Sequence, residues 1–201
     1  MEIQYQITSK SQKGKNDNRF SVVAASNKEA ERIFNKAAMR LLNVNYWSKL
    51  LVKETTDFRL FDKDGNGVNR LIKKNDFFRI GIPGESTITG HGYNWVKVGN
   101  IETYTDSSLE MELFSIITRP ALNPLSSDSD SIAFFQDKAT STFIVKRESG
   151  KITAEMHCHN EKPNTFDEHA IDNVQKKLTS KVAINGFSSI QWKKLVTELF
   201  S

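Results

Sequence analysis

The chain has 201 residues, of which 28 are Lys or Arg and 24 are Asp or Glu, and it is long enough to bury a core as one domain without staples. No apolar run approaches the roughly 20 residues needed to span a bilayer. Its single cysteine, Cys158, excludes an internal disulfide and fits a reducing compartment. The opening Met1-Glu2-Ile3-Gln4-Tyr5 alternates polar and apolar residues and lacks the basic-then-apolar layout of a signal peptide, so a cytoplasmic address is expected.

Charge is uneven along the chain. Residues 1–53 hold 10 basic against 4 acidic side chains, a net +6, and the remainder carries −2. Much of the excess sits at Lys10, Lys13, Lys15 and Arg19, in a Ser/Lys/Asn/Gly stretch. Such a stretch can contact polyanions. No aromatic is interleaved until Phe20, however, so a solvated loop is the better reading and a nucleic-acid partner is not expected.

The first elements are clearly written. Arg19 to Ala24 is a short β-like run. Ser26-Asn27-Lys28-Glu29 is a capping box, and Ala30, Ile33, Phe34, Ala37, Ala38, Leu41 and Leu42 then form one stripe of a helix ending near Leu42. Tyr46-Trp47-Ser48-Lys49-Leu50-Leu51 predicts a further turn or two.

A long period-two region follows, from Phe58 to Cys158. Phe58-Arg59-Leu60-Phe61 precedes the turn-forming Asp62-Lys63-Asp64-Gly65-Asn66-Gly67. Asp76 to Ile82 places Phe78, Ile80 and Ile82 opposite Phe77 and Arg79. Pro83 to Gly92 is a glycine-rich loop. Tyr93, Trp95 and Lys97 then alternate with Asn94, Val96 and Val98. Leu109 to Ile117 is mostly apolar, and Leu125 to Ser131 is a Ser/Asp loop. Thr140 to Arg147 and Lys151 to His159 flank Glu148-Ser149-Gly150 as a hairpin.

Two helices close the chain. Thr165-Phe166-Asp167-Glu168 caps the first, whose stripe is Ala170, Ile171, Val174, Leu178 and Val182, and Asn185-Gly186 stops it. Ser188 caps the second, with Phe187 and Trp192 spaced as a hydrophobic staple and Trp192, Leu195, Val196 and Leu199 on its buried face.

Few patterns carry chemistry. Asp62 to Gly67 begins like a calcium loop, but Asn69 stands where an apolar residue belongs and Lys73 where a bidentate Glu is required. Gly81 to Gly92, with His91 near its end, lacks the Gly-Lys-Ser/Thr ending and the following helix of a phosphate loop. Glu155, His157 and His159 share one strand face, opposite Ala154, Met156 and Cys158. Two His at i and i+2 beside a carboxylate are a candidate divalent-metal site or a poised general base. A wet strand face accounts for the same alternation, and no third ligand of fixed position is present. No nucleophile motif appears, and no cofactor is implied.

The order of elements resembles the helix-grip fold of the START/Bet v 1-like (SRPBCC) superfamily. Phe20-Ser21-Val22-Val23-Ala24-Ala25-Ser26, then Glu29 to Leu42, then Trp47 after a short break carry that likeness. The resemblance implies a curved sheet wrapped round a long C-terminal helix, with lipids, sterols or polyketides bound in the groove. The Asn185-Gly186 break departs from it. Asn75 to Gly84, Gly92 to Val98 and Ala139 to Phe143 also look like an uncharacterised family of small bacterial proteins, which brings no activity with it.

The expected fold is therefore α+β, a curved antiparallel sheet with N-terminal and C-terminal helices packed on it, with an SH3-like small β-barrel core as the alternative. The expected function is a non-enzymatic module holding a small apolar or amphipathic ligand between sheet and C-terminal helix. Trp47, Trp95, Phe143 and Trp192 would line it, and Tyr93 or His157 would supply polar contact. The competing readings are an enzyme using Glu155, His157 and His159, and a polyanion-binding protein using the basic N-terminal loop.

Overall fold

The computed structural model describes residues 17–51, 56–81, 93–125, 139–159 and 189–201. Outside them lie Lys10, Lys13 and Lys15, the glycine-rich loop from Ile82 to Gly92 with His91, and most of the Ser/Asp loop. So do the Thr165–Glu168 capping box with its helix, the Asn185-Gly186 stop, and the Phe187–Ser188 staple and cap.

The described elements run β1 (Asn18–Val23), α1 (Asn27–Leu42), α2 (Val44–Leu50), β2 (Asp57–Phe61), β3 (Phe77–Gly81), β4 (Tyr93–Asp106), β5 (Met111–Ala121), β6 (Thr140–Glu148), β7 (Lys151–His159) and α3 (Ser189–Glu198). The strands form one seven-stranded antiparallel sheet in the order β1-β7-β6-β5-β4-β3-β2, curled as a half-barrel. Strands β2 to β7 thus run as a meander, and β1 closes it by joining β7 rather than β2. The fold is α+β, with helices contributed from both ends of the sequence, and not an SH3-like barrel.

Alternation sorts the strand residues. Phe58, Leu60, Phe78, Ile80, Phe114, Ile116, Phe143, Val145, Ile152, Ala154 and Met156 face the helices and form the core with Phe34, Leu41, Trp47 and Leu195. A bulge between Val98 and Asn100 shifts the phase of β4. Val98 and Ile101 consequently both belong to the inner side, opposite Thr118 and Ile116.

The helices form where the sequence places their signals. Ser26 Oγ accepts the Glu29 N–H at 3.2 Å, and the Glu29 carboxylate reaches back to the Ala25 N–H at 2.9 Å. Helix α1 buries Ala30, Phe34, Ala37 and Leu41 against β6 and β7. Arg40 joins three elements: its guanidinium donates to the carbonyls of Glu198 and Leu199 at the end of α3, and its own carbonyl accepts the Trp47 indole N–H at 3.1 Å.

Strand β2 is one edge of the sheet, and α2 covers it with side-chain acceptors. Ser48 Oγ accepts the Phe58 N–H at 2.9 Å, and Asn45 Oδ1 accepts the Leu60 N–H at 2.8 Å. Asn45 also donates to the Val68 carbonyl at 2.9 Å. The edge donors that could pair with a foreign strand are thereby occupied.

Candidate functional site

The six residues expected to line one ligand site fall into three groups. Trp47, Phe143 and Trp192 come together on the inner face. Trp47 sits against β2, β3 and β6, with ring centroids 5.4 Å from Phe58, 5.6 Å from Phe78 and 5.5 Å from Phe143. Phe143 in turn lies 5.2 Å from Trp192 on α3. All three are buried, and the rings touch edge-to-face or tilted, the arrangement aromatic quadrupoles favour.

Tyr93 and Trp95 occupy the opposite, outer face at the β2–β3–β4 end. Trp95 stands in register with Arg79 on one side and Ala121 on the other. The Phe61 ring packs on it at 4.8 Å, and Trp95 is only 6% exposed although it faces away from the main core. The Arg79 guanidinium lies 4.0 Å from the Tyr93 ring centroid and donates to Asp57 at 3.1 Å. Arg79, Arg59 and Phe61 are neighbours that sequence reasoning did not assign. Alternation already set Trp95 opposite Val96 and Val98; only the strand pairing shows which cations meet it.

His157 lies on the outer face at the other end of the sheet. Its Nε2 is 2.8 Å from Glu155 Oε2 and its Nδ1 is 3.4 Å from Asp17 Oδ2. Glu155 also meets Arg19 at 3.3 Å and Lys146 at 3.7 Å. The hydrogen bond from His157 holds the Glu155 carboxyl below its ordinary value, with Lys146 and Arg19 adding to it against the cost of burial. The same bond raises the His157 imidazole, and Asp17 raises it further. Both ring nitrogens thus face carboxylates, as suits an imidazolium in an ion-pair network rather than a neutral ligand imidazole. His159 pairs across with Thr140. Among the described residues no three His, Cys, Asp or Glu side chains converge to hold a metal.

The remaining candidate motif is a structural turn. Asp62 Oδ1 accepts the N–H groups of Asp64 at 3.0 Å and Asn66 at 2.8 Å, and the Asn66 N–H holds this exposed carboxyl below its ordinary value. Gly65 has φ +84, a left-handed conformation that favours glycine, while the one close neighbour a Cβ would meet, Leu125 Cδ2 at 2.8 Å, ends an exposed side chain that can move aside. Cys158 is buried on the inner face of β7.

No family model matches the chain, and no curated protein matches it. Solved structures that are similar include Ara h 8.0201, at 11% identity over 89% of this chain and 97% of that one, with a TM-score of 0.33. A Staphylococcus epidermidis protein solved by NMR in solution shares 13% identity over 94% of each chain, with a TM-score of 0.37. The ginseng major latex-like protein 151 from Panax ginseng shares 9% identity over 88% of this chain and 95% of that one, with a TM-score of 0.31.

Proposed function

We propose that this chain is a non-enzymatic binding module for a small apolar or amphipathic ligand, held on the inner face between the sheet and α3. One observation supports the reading most: Trp47, Phe143 and Trp192 form a continuous line of rings from the sheet to the closing helix. The polar atom of Trp47 is already taken up by the Arg40 carbonyl, which leaves its ring as apolar surface. Such surface suits a ligand whose bulk is hydrocarbon or aromatic. The rings touch one another and are buried, so the reading requires α3 to give way on binding, with Trp192 as the ligand's nearest contact. This agrees with what the helix-grip resemblance implies.

The test uses N-phenyl-1-naphthylamine, a neutral apolar fluorophore, with the full chain. Saturable one-to-one binding is expected, with energy transfer from the indoles. Trp192→Phe should weaken the probe's affinity, and Trp95→Phe, on the other face, should leave that affinity unchanged. Non-saturable binding, or equal loss of affinity in both variants, overturns the reading. Native and denaturing mass spectrometry of fresh protein adds a second readout: a stoichiometric mass lost on denaturation identifies the ligand directly.

A further inference from the structure

Among the described residues, two buried polar atoms on the outer face at the β2–β3–β4 end lack a partner. Trp95 Nε1 and Arg79 Nε are buried and have no hydrogen-bond partner among the described residues. They belong to residues directly opposite each other on paired strands. Both are N–H donors, and each buried donor left unmade costs on the order of 1–3 kcal/mol. Native proteins rarely carry such a cost without a use for it.

Charge around the two donors points the same way. Arg59 stands opposite Arg79 in the β2–β3 register, and Lys97 stands opposite Arg119 in the β4–β5 register. Like charges facing each other across a sheet destabilise it. Two such pairs flank Trp95 on one face, and Asp57 is the carboxylate that answers Arg79. The Arg79 side chain lies over Tyr93, and Phe61 covers Trp95, so the donors sit among low-polarity ring surface where an ionic hydrogen bond is strong.

We propose that this donor cluster binds a compact oxyanion, a carboxylate or a phosphate group, through Trp95 Nε1–H and Arg79 Nε–H. Arg59 and Lys97 supply further positive charge around it. An anion held by both buried donors also offsets the Arg59–Arg79 repulsion beside them. Water would satisfy a donor but not relieve the repulsion. The site is distinct in face and chemistry from the inner apolar one, and neither depends on the other.

The experiment follows the Trp95 indole N–H cross-peak, assigned with Trp95→Phe, in ¹H–¹⁵N spectra of the full chain. Benzoate and inorganic phosphate are titrated separately, against chloride at matched ionic strength. A saturable shift of the Trp95 peak is expected with at least one of them. Binding of benzoate alone assigns the site to carboxylates, binding of phosphate alone to phosphoryl groups, and binding of both to oxyanions in general. Arg79→Lys keeps the charge and removes the Nε–H, and should weaken binding about tenfold to a hundredfold. Trp95→Phe, followed by calorimetry, should do the same while keeping a ring against Phe61. The proposal is overturned if neither anion moves the peak more than chloride does, if the Trp192 peak moves in its place, or if both variants keep full affinity.

Discussion

Asp76 is 2% exposed, yet it accepts hydrogen bonds from both terminal nitrogens of Arg70 and from the Lys73 N–H at 2.7 Å. Its backbone is tied down as well, since the Asp76 carbonyl accepts the Val98 N–H at 2.8 Å. The carboxylate therefore fixes the segment that leads into β3. Arg70 keeps 32% of its side chain exposed, so losing the carboxylate mainly costs the hydrogen bonds made to the buried Asp76. Asp76→Asn should cost about 1–3 kcal/mol, read as a lower urea midpoint at unchanged slope. His157 gives a stability effect that depends on pH. Its raised pKa contributes stability that is fully present below its ordinary value of 6.5 and is lost as pH rises through the folded value. Glu155 is lowered, so its contribution is present above its ordinary 4.5 and lost as pH falls through the folded value. The pair is at full strength between those limits. His157→Gln should be most destabilising near pH 5.5 and progressively less so above neutrality. Urea unfolding of both proteins across that range checks it; a difference that grows with pH would contradict the ion-pair assignment.

At the scale of elements, α2 does two jobs that its length of seven residues does not advertise. One face sends Trp47 into the core, and the other caps the edge of β2 through Asn45 and Ser48. Asn45→Ala removes an acceptor from the Leu60 N–H and a donor from the Val68 carbonyl. About 1–3 kcal/mol of stability should be lost, and the opened edge should promote self-association visible by analytical ultracentrifugation. Sequence reasoning reached the elements more readily than these contacts. The Ser26–Glu29 cap and the Ala30–Leu41 stripe are local patterns, and the structure forms them where they are written. The strand faces were also readable, because apolar and polar residues alternate. What alternation lacks is a sign: it set Trp95 opposite Val98 but did not say which side the helices would cover. Trp95 and Trp47 could therefore be pooled on paper although the sheet stands between them. The cross-strand meeting of Arg59 with Arg79 depends on register and has no local signature at all.

For the molecule as a whole, the sheet is a barrier that separates three chemistries. The inner face gathers aromatic rings beneath α3. The outer face at β2–β4 holds unpaired donors among cations, and the outer face at β1–β7 holds an ion-pair network around His157. No described helix is long and apolar enough to cross a membrane. The element order that suggested a helix-grip arrangement matches the observed topology, including the closing helix packed on β1 and β7. The partner of β1 was the part that local patterns could not supply, because it is chosen by which edge remains open once the meander has formed.

That late choice of partner bears on how the protein is made. Ser21 on β1 and Thr153 on β7, whose hydroxyls meet at 3.0 Å, are 132 residues apart. A ribosome adding ~5–20 residues per second delivers β7 about 7–26 s after β1 has been translated. For most of that interval α1 also lacks β6 and β7, the strands its apolar stripe of Ala30, Phe34, Ala37 and Leu41 packs on in the finished fold. Strand β1 and helix α1 thus wait for strands more than 100 residues downstream, and pairings this distant in sequence are slow to form. Until the sheet is complete, that stripe is apolar surface which other unfinished chains can meet, an aggregation risk that the native fold removes.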